Sequence, residues 1–370
     1  MKRALITGIR GQDGFSLAQL LLEKGYEVHG IKRHASLFSY EQADISYQAG
    51  CLNNSSFNMH YADLTDTATL TRLVQEIQPD EIYNFGVVSY MKLPFETPEY
   101  TEEVNGLCTL RVLEVVRASN LANSVRVYQA ATPQTKTASQ PVIESESKSQ
   151  HTFFPSPTAA LSSHKLIAKH RAAYGLYACN GYLFNYEFPR RGETTLVHKI
   201  TQGAVRIALG LQGTLYLHSL EARHDWGYPQ DYAEAIWRVL QQEIPEDYVI
   251  ATTVMTTVRE FVRLVFAELG VDVVFQGNDT QEIGYVVASH NNDYALMPGQ
   301  TVVAIDSTYY RAHTVEPSLA EASKSRRQLG WKPRHNLHLL IQEMVQHDLH
   351  LFSRQTSLIK SGQQVLLQPN

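Results

Sequence analysis

The sequence predicts an α/β protein in which a doubly wound parallel sheet is followed by a smaller C-terminal lobe. Through the first half of the chain, short β-branched and aromatic runs alternate with runs whose apolar residues recur at helical spacing. Repeated β-α units of this kind favour parallel strands covered on both faces. Gly8, Gly11 and Gly14 fall at the turn between the first strand and the first helix. The 370 residues exceed what one hydrophobic core usually fills, so a second lobe is expected.

In chain order, "RALIT" (3–7), "YEVHGIK" (26–32), "NMHYA" (58–62), "EIYNFG" (81–86) and "VRVYQAA" (125–131) are short and apolar enough to be strands. Between them, "GFSLAQLLLEKG" (14–25), "ATLTRLVQEIQP" (68–79) and "TEEVNGLCTLRVLEVVRAS" (101–119) carry apolar residues on one helical face. A further helix is expected from about residue 157. After about 185 the alternation weakens. Helices are expected at 195–210, 231–243 and 257–270, and strands of a smaller lobe at 271–277 and 300–306. A turn at Pro333 leads to a final helix, and the tail from about 353 is expected to be poorly ordered. The expected division is a dinucleotide domain over 1–185, a mixed lobe over 186–350 with some segments returning to the first domain, and a tail over 351–370.

Composition narrows the function classes. The chain is 44% hydrophobic and 19% charged with a formal net charge of −5, so nothing favours nucleic acid or a membrane surface as partner. Cys51, Cys108 and Cys179 match no zinc or redox spacing, which fits free thiols in a reducing compartment and no metal. The N-terminus has no apolar leader and no run is long enough for a membrane span, so the cytoplasm is expected.

The first strand runs into "TGIRGQDG". Glycines there permit a tight turn and let the backbone approach a pyrophosphate, while the following helix presents its N-terminal amides to anionic oxygens. This context, strand before and helix after, points to a Rossmann-like dinucleotide site. The second strand ends in Lys32, Arg33 and His34, with no Asp or Glu from 31 to 36. An arginine there accommodates a 2′-phosphate, which favours NADP over NAD; a solvated basic turn is the plainer alternative. Asp63 either reaches the adenine or caps the helix that follows.

The segments "MKRALITGIRGQDG", "LLEKGYEVHGIKR", "LTRLVQEIQPDEIYN", "YGLYACNGYLFN", "PRRGET", "DWG" and "LGWKP" together resemble the GDP-mannose 4,6-dehydratase family of extended short-chain dehydrogenases/reductases, from residue 1 to about 350. The resemblance implies an NADP domain, a smaller nucleotide-sugar lobe, and a homodimer, a homotetramer or a hetero-oligomer with an active paralogue. It implies cofactor contacts at Gly8, Ile9, Arg10, Gly11, Gln12, Asp13, Gly14, Arg33, Ser36, Asp63, Leu64, Gly86, Ser89, Tyr100 and Arg191. It implies contacts to GDP-mannose or a related nucleotide sugar at Asn185, Glu193, Lys199, Arg311 and Glu316, with Arg223 as a substitute for the family's arginine at His224.

Other family positions are changed. Val88 and Tyr90 replace a Gln and a His, and Tyr186 and Phe188 replace a His and a Ser. The family's reaction uses a tyrosine with a lysine four residues on, a glutamate that takes the C5 proton, and a threonine that holds the sugar. Thr132 is retained, but Gln134 stands at the glutamate, and an amide accepts no proton near neutral pH. Aligned on "SP", Thr158 stands at the tyrosine and Ser162 at the lysine; aligned on "YGLYACNG", Ser156 and Ala160 do. Lys165 lies about 4.5 Å of helical rise beyond Ser162, whereas His164 points about 100 degrees away from it. Both also read as solvated helix residues. Three readings follow: a catalytically impaired binding protein, an enzyme working through Thr132, Lys165 and water, or a scaffold without cofactor.

Overall fold

The structure, a computed structural model, describes residues 1–32, 54–86, 107–131, 157–184, 195–306 and 322–360, with the backbone alone for 157–164 and 354–360. Two compact units emerge, each assembled from three stretches of chain: Met1–Phe184, Pro229–Thr253 and Ala320–Arg334 in the first, Asn185–Tyr228, Val254–Leu319 and His335–Asn370 in the second.

The first unit is built on a seven-stranded sheet ordered β3-β2-β1-β4-β5-β6-β9, and every neighbouring pair is parallel. Its strands are β1 (Arg3–Thr7), β2 (Glu27–Lys32), β3 (Phe57–Tyr61), β4 (Glu81–Asn84), β5 (Arg126–Ala131), β6 (Tyr177–Leu183) and β9 (Tyr248–Ile250). Strand order reverses beside β1, so the crevice between the carboxyl ends of β1 and β4 is the switch point where such sheets take ligands. Helices α1 (Gln12–Glu23), α2 (Thr67–Ile77), α3 (Cys108–Ala118) and α4 (Pro157–Tyr174) connect the strands. In α2 the spacing of Leu70, Leu73, Val74 and Ile77 buries one face, and Asp66 caps it by accepting from the Ala68 and Thr69 amides.

The expected doubly wound parallel sheet is present, with its first five strands and two of its first three helices within a few residues of their expected places. Most of the remaining helix, expected over 101–119, is seen as α3; residues 101–106 are outside the described set. Strand β6 had no counterpart in the expectation. Its "YACNGYL" is broken in pattern by Asn180 and Gly181, yet Ala178 to Tyr182 are buried, and a Cβ on Gly181 would meet the Tyr128 hydroxyl at 2.1 Å. The expected helix at 231–243 is α6 (Pro229–Val239), which belongs to the first unit. Trp331 of "LGWKP" is buried against it and donates its indole N–H to the Asp231 carbonyl at 2.8 Å. The Arg334 amide donates to the Asp231 carboxylate at 3.0 Å. The short α8 (Ser323–Gln328) completes this unit.

The second unit carries a four-stranded sheet ordered β11-β12-β13-β7 and a two-stranded ribbon of β10 and β8. These are β7 (Leu215–Leu217), β8 (Arg223–Asp225), β10 (Met255–Thr257), β11 (Val271–Gln276), β12 (Ile283–Ser289) and β13 (Thr301–Ile305). Its core gathers Ile200 and Ala204 of α5 (Leu196–Ala208), Phe261 and Val265 of α7 (Val258–Glu268), and Leu340 and Met344 of α9 (Leu337–Lys360) against Val286 and Val303. The tail expected from about 353 is corrected as far as Lys360, to which α9 continues, and residues 361–370 lie outside the described set. Phe352 is buried, with the Arg206 guanidinium over its ring, and this packing carries the helix past 350. No helix among the described residues is long and apolar enough to cross a membrane.

Candidate functional site: a glycine cradle at the switch point

The site begins where β1 stops. Gly8 has φ +66°, and a Cβ there would lie 2.7 Å from the Phe85 carbonyl oxygen. Only glycine takes this conformation at this spacing without strain. The chain then doubles back, with the Gly11 amide donating to the Gly8 carbonyl at 2.9 Å. Gly11 is the extended N-cap of α1 and makes no side-chain cap. The first helical bond runs from the Phe15 amide to the Gly11 carbonyl at 3.0 Å, so the first-turn amides aim beyond the helix end. A Cβ on Gly14 would meet Gly8 O at 2.6 Å and Ile9 Cα at 2.7 Å. Gly14 thus sets the closeness of helix and strand.

A pyrophosphate suits this cradle: bare backbone at Gly8 and Gly11, a helix N-terminus, and no side chain capping it. Residues Arg10, Gln12 and Asp13 sit around the turn, partly exposed. Ile9 contributes differently, because its side chain is fully buried and fills the space a Cβ on Gly30 would need, at 2.6 Å. The glycine inside strand β2 was the available sign of that close approach. Opposite, Gly86 lies two residues past the end of β4, and Leu64 Cδ1 fills the place its Cβ would take. Asp63 does not cap α2, as Asp66 does; Asp63 Oδ1 instead accepts from the Thr65 amide at 2.9 Å and hydroxyl at 2.7 Å.

Behind the cradle lie residues with no part in the sequence expectations. Thr7, Asn84, Thr109 and Gln129 are all buried and joined by hydrogen bonds between side chains. The signal was a polar residue inside strands otherwise read as buried on both faces, Asn84 in "EIYN" and Gln129 in "VYQAA". Buried beside them, the Cys108 thiol is pushed above its ordinary value by desolvation. Tyr128 packs against Phe85 with ring centroids 5.8 Å apart, and burial pushes its phenol well up.

Helix α4 starts at Pro157, a residue suited to a first helical turn, and carries Thr158 and Ser162. Lys165 is exposed on the same helix. In the second unit Lys199 is exposed on α5, and Arg223 is exposed on β8. Alternation along the strand turns His224 the other way, 5.2 Å from the Trp226 ring centroid, and burial lowers its pKa. Thr132, Gln134, Arg33, Ser36, Ser89, Tyr100, Asn185, Arg191, Glu193, Arg311 and Glu316 lie outside the described residues, as do Val88, Tyr90, Tyr186 and Phe188. Among the described residues no three His, Cys, Asp or Glu side chains are grouped to hold a metal ion.

The family model for GDP-mannose 4,6 dehydratase matches residues 5–344. The chain is 44% identical over 365 residues to the GDP-mannose 4,6-dehydratase of Vibrio cholerae, covering 98% of each chain. The fold is similar to UDP-glucose 4-epimerase of Thermus thermophilus complexed with NAD, with TM-score 0.65, 21% identity and coverage of 94% of this chain and 98% of that one. It is also similar to RMD of Pseudomonas aeruginosa complexed with NADPH, with TM-score 0.67, 16% identity and coverage of 95% and 100%. Together with the parallel sheet and its glycine cradle, a match of this length leads to one conclusion: the chain belongs to the GDP-mannose 4,6-dehydratase family.

Proposed function

We propose that this family member binds NADP and a GDP-sugar, GDP-mannose or a close relative, and is impaired in dehydration, acting as a binding or regulatory subunit. The carrying observation is a contrast within one chain. The cradle at Gly8, Gly11, Gly14 and Gly86 is intact, while Gln134, Thr158 and Ser162 stand where the resemblance calls for Glu, Tyr and Lys. NADP, when bound, supplies the acceptor for hydride from the sugar. The chain's own part is to hold the pyrophosphate at the amides of the cradle and the 2′-phosphate near Lys32 and Arg33.

What the chain lacks is proton traffic. No tyrosine lies between 151 and 173 to take the 4-OH proton, and Gln134 takes none from C5. Thr132 keeps only the means to hold an oxygen in place. General acid–base groups contribute about 10²–10⁴ each, and members of one unit do not multiply, so dehydration falls close to background. Incubating the protein with NADP⁺ and GDP-mannose tests this. No 4-keto-6-deoxy product is expected, and product at ordinary turnover overturns the proposal.

The second reading, an active dehydratase or NADP-dependent reductase using Thr132, Lys165 and water, is favoured by the 44% identity to a dehydratase along the whole chain. It expects Lys165→Ala to abolish a measurable activity. The third, a scaffold without cofactor, expects none retained on native mass measurement. The same measurement separates a homodimer or homotetramer from an assembly with an active paralogue. The cytoplasm is the compartment that suits this substrate class.

A further inference from the structure

Behind the cradle, uncharged polar side chains close a hydrogen-bonded chain almost out of solvent: Thr7 and Thr109 are 1% exposed, Asn84 0% and Gln129 3%. Its direction is fixed from one end to the other. Thr7 Oγ1 accepts from the Phe85 amide at 3.1 Å and the Gly86 amide at 3.0 Å. Its proton is left to donate to Asn84 Oδ1, at 2.5 Å. Asn84 Nδ2 then donates to Gln129 Oε1 at 2.7 Å, and the Thr109 hydroxyl donates to the same oxygen at 2.9 Å. Gln129 Nε2 donates onward to the Ala130 carbonyl at 2.8 Å. Neither carboxamide can flip without setting acceptor against acceptor.

This chain of bonds spans β1, β4, β5 and α3, and its first member also grips the two amides that follow β4. Those amides belong to Phe85 and Gly86, which form the wall of the cradle facing Gly8. The clearance there is already minimal, since a single added carbon at Gly8 would lie 2.7 Å from the Phe85 oxygen. A small shift of that wall therefore displaces the Gly8 turn that packs against it. At its other end the chain fixes β5, the strand that leads in sequence to Thr132.

We infer that Asn84 and Gln129, locked by Thr7 and Thr109, are positioning residues that set the spacing of the dinucleotide cradle and tie it to the strand leading to Thr132. The inference rests on the NADP reading above. A buried polar network is costly when partly satisfied, and this one holds the cradle wall directly, since the Gly86 amide also donates to Asn84 Oδ1 at 3.3 Å.

Thr109→Val is the test, because it removes one donor with little change of shape, while Thr109→Ser restores the hydroxyl. NADPH fluorescence gives the dissociation constant, and hydrogen exchange of the amides of residues 82–86 reads the cradle wall in cofactor-free protein. Thr109→Val is expected to weaken NADPH binding by about threefold to tenfold, in line with the loss of one buried hydrogen bond, and to speed that exchange. Thr109→Ser should match the wild type in both. Ile77→Ala, a core substitution in α2, should lower the melting temperature without changing the dissociation constant. Asn84→Asp sets a carboxylate against Gln129 Oε1 and should lose more affinity than Thr109→Val. A Thr109→Val protein that binds NADPH as the wild type does, or loses no more than Ile77→Ala, overturns the inference alone. Wild-type protein that takes up no NADPH brings down the cofactor reading and this inference with it.

Discussion

The Tyr83 hydroxyl donates a 2.7 Å hydrogen bond to the Glu81 carboxylate, with the carboxylate 1% exposed at the amino end of β4. Three further donors close on the same group: Lys2 Nζ at 2.9 Å, Gln241 Nε2 at 3.1 Å and the Tyr26 hydroxyl at 3.2 Å. Removing the carboxylate takes the acceptor from the buried Tyr83 hydroxyl, whereas Lys2 Nζ keeps Gln241 Oε1 at 3.1 Å and Gln241 Nε2 keeps the Trp237 carbonyl at 3.1 Å. Glu81→Leu should cost about 1–3 kcal/mol in urea unfolding, the cost of leaving a buried polar group unsatisfied. Lys2→Met should cost under about 1 kcal/mol, because the lysine is half exposed.

A glycine that shapes the cradle is distinguishable from one needed only for its backbone conformation. Gly14→Ala pushes a methyl into the backbone of Gly8 and Ile9, so affinity for NADPH should fall at least about tenfold, a change worth about 1.4 kcal/mol. Gly25→Ala is the comparison. Gly25, unlike the helical Gly14, has positive φ, but nothing lies near its Cβ position, so a cost of about 1–2 kcal/mol in folding should leave affinity unchanged. Titration by fluorescence beside thermal melts distinguishes the two.

Acid should weaken the first unit through His29 and His60. Their ring nitrogens lie 3.0 Å apart on neighbouring strands β2 and β3, and burial lowers both pKa values below the ordinary 6.5. Glu27 opposes the shift at His29 but does not reverse it. The unfolded chain therefore binds more protons just below pH 6.5. Stability should fall as pH drops through that value and level off below the folded pKa values. In His60→Gln the slope of unfolding free energy against pH should shrink.

Returning the missing groups should return chemistry. Gln134→Glu, Thr158→Tyr and Ser162→Lys together are expected to raise conversion of GDP-mannose at least about a hundredfold over the starting protein, the contribution of one restored acid–base group. Mass spectrometry of the sugar nucleotide reads the loss of water. No gain in a variant that still binds NADPH would place the impairment elsewhere.

How far the sequence could be read depended on whether a signal was local. Leu70, Leu73, Val74 and Ile77 announced α2 because helical spacing is written in neighbouring residues. The glycine triplet announced the cradle because the turn and helix start are local too. Strand β12 was missed since Gly284 interrupts "IGYVVAS", and only the structure shows why: a Cβ there would meet the Phe275 ring at 2.8 Å. For the network from Thr7 to Gln129 the sequence offers only the polar residues within buried strands, not their pairing. Thr7, Asn84 and Gln129 are far apart in sequence and acquire meaning only when β1, β4 and β5 pair. Candidate sugar contacts at Lys199 and Arg223 could be named by resemblance, but solvent exposure of both was not legible.

The interleaving of the two units also sets a timetable for synthesis. Strand β6 has Ala178 to Tyr182 buried in the finished sheet, and its outer neighbour β9 pairs Gly181 with Tyr248. Until residue 250 has left the ribosome, β6 must wait as an apolar sheet edge, the kind of surface that pairs with other chains. Asp247, which takes the Arg171 guanidinium and the Asn180 amide, arrives equally late. A truncated chain ending at Phe184 would keep that edge permanently open and should aggregate, so this protein cannot be divided by a single cut.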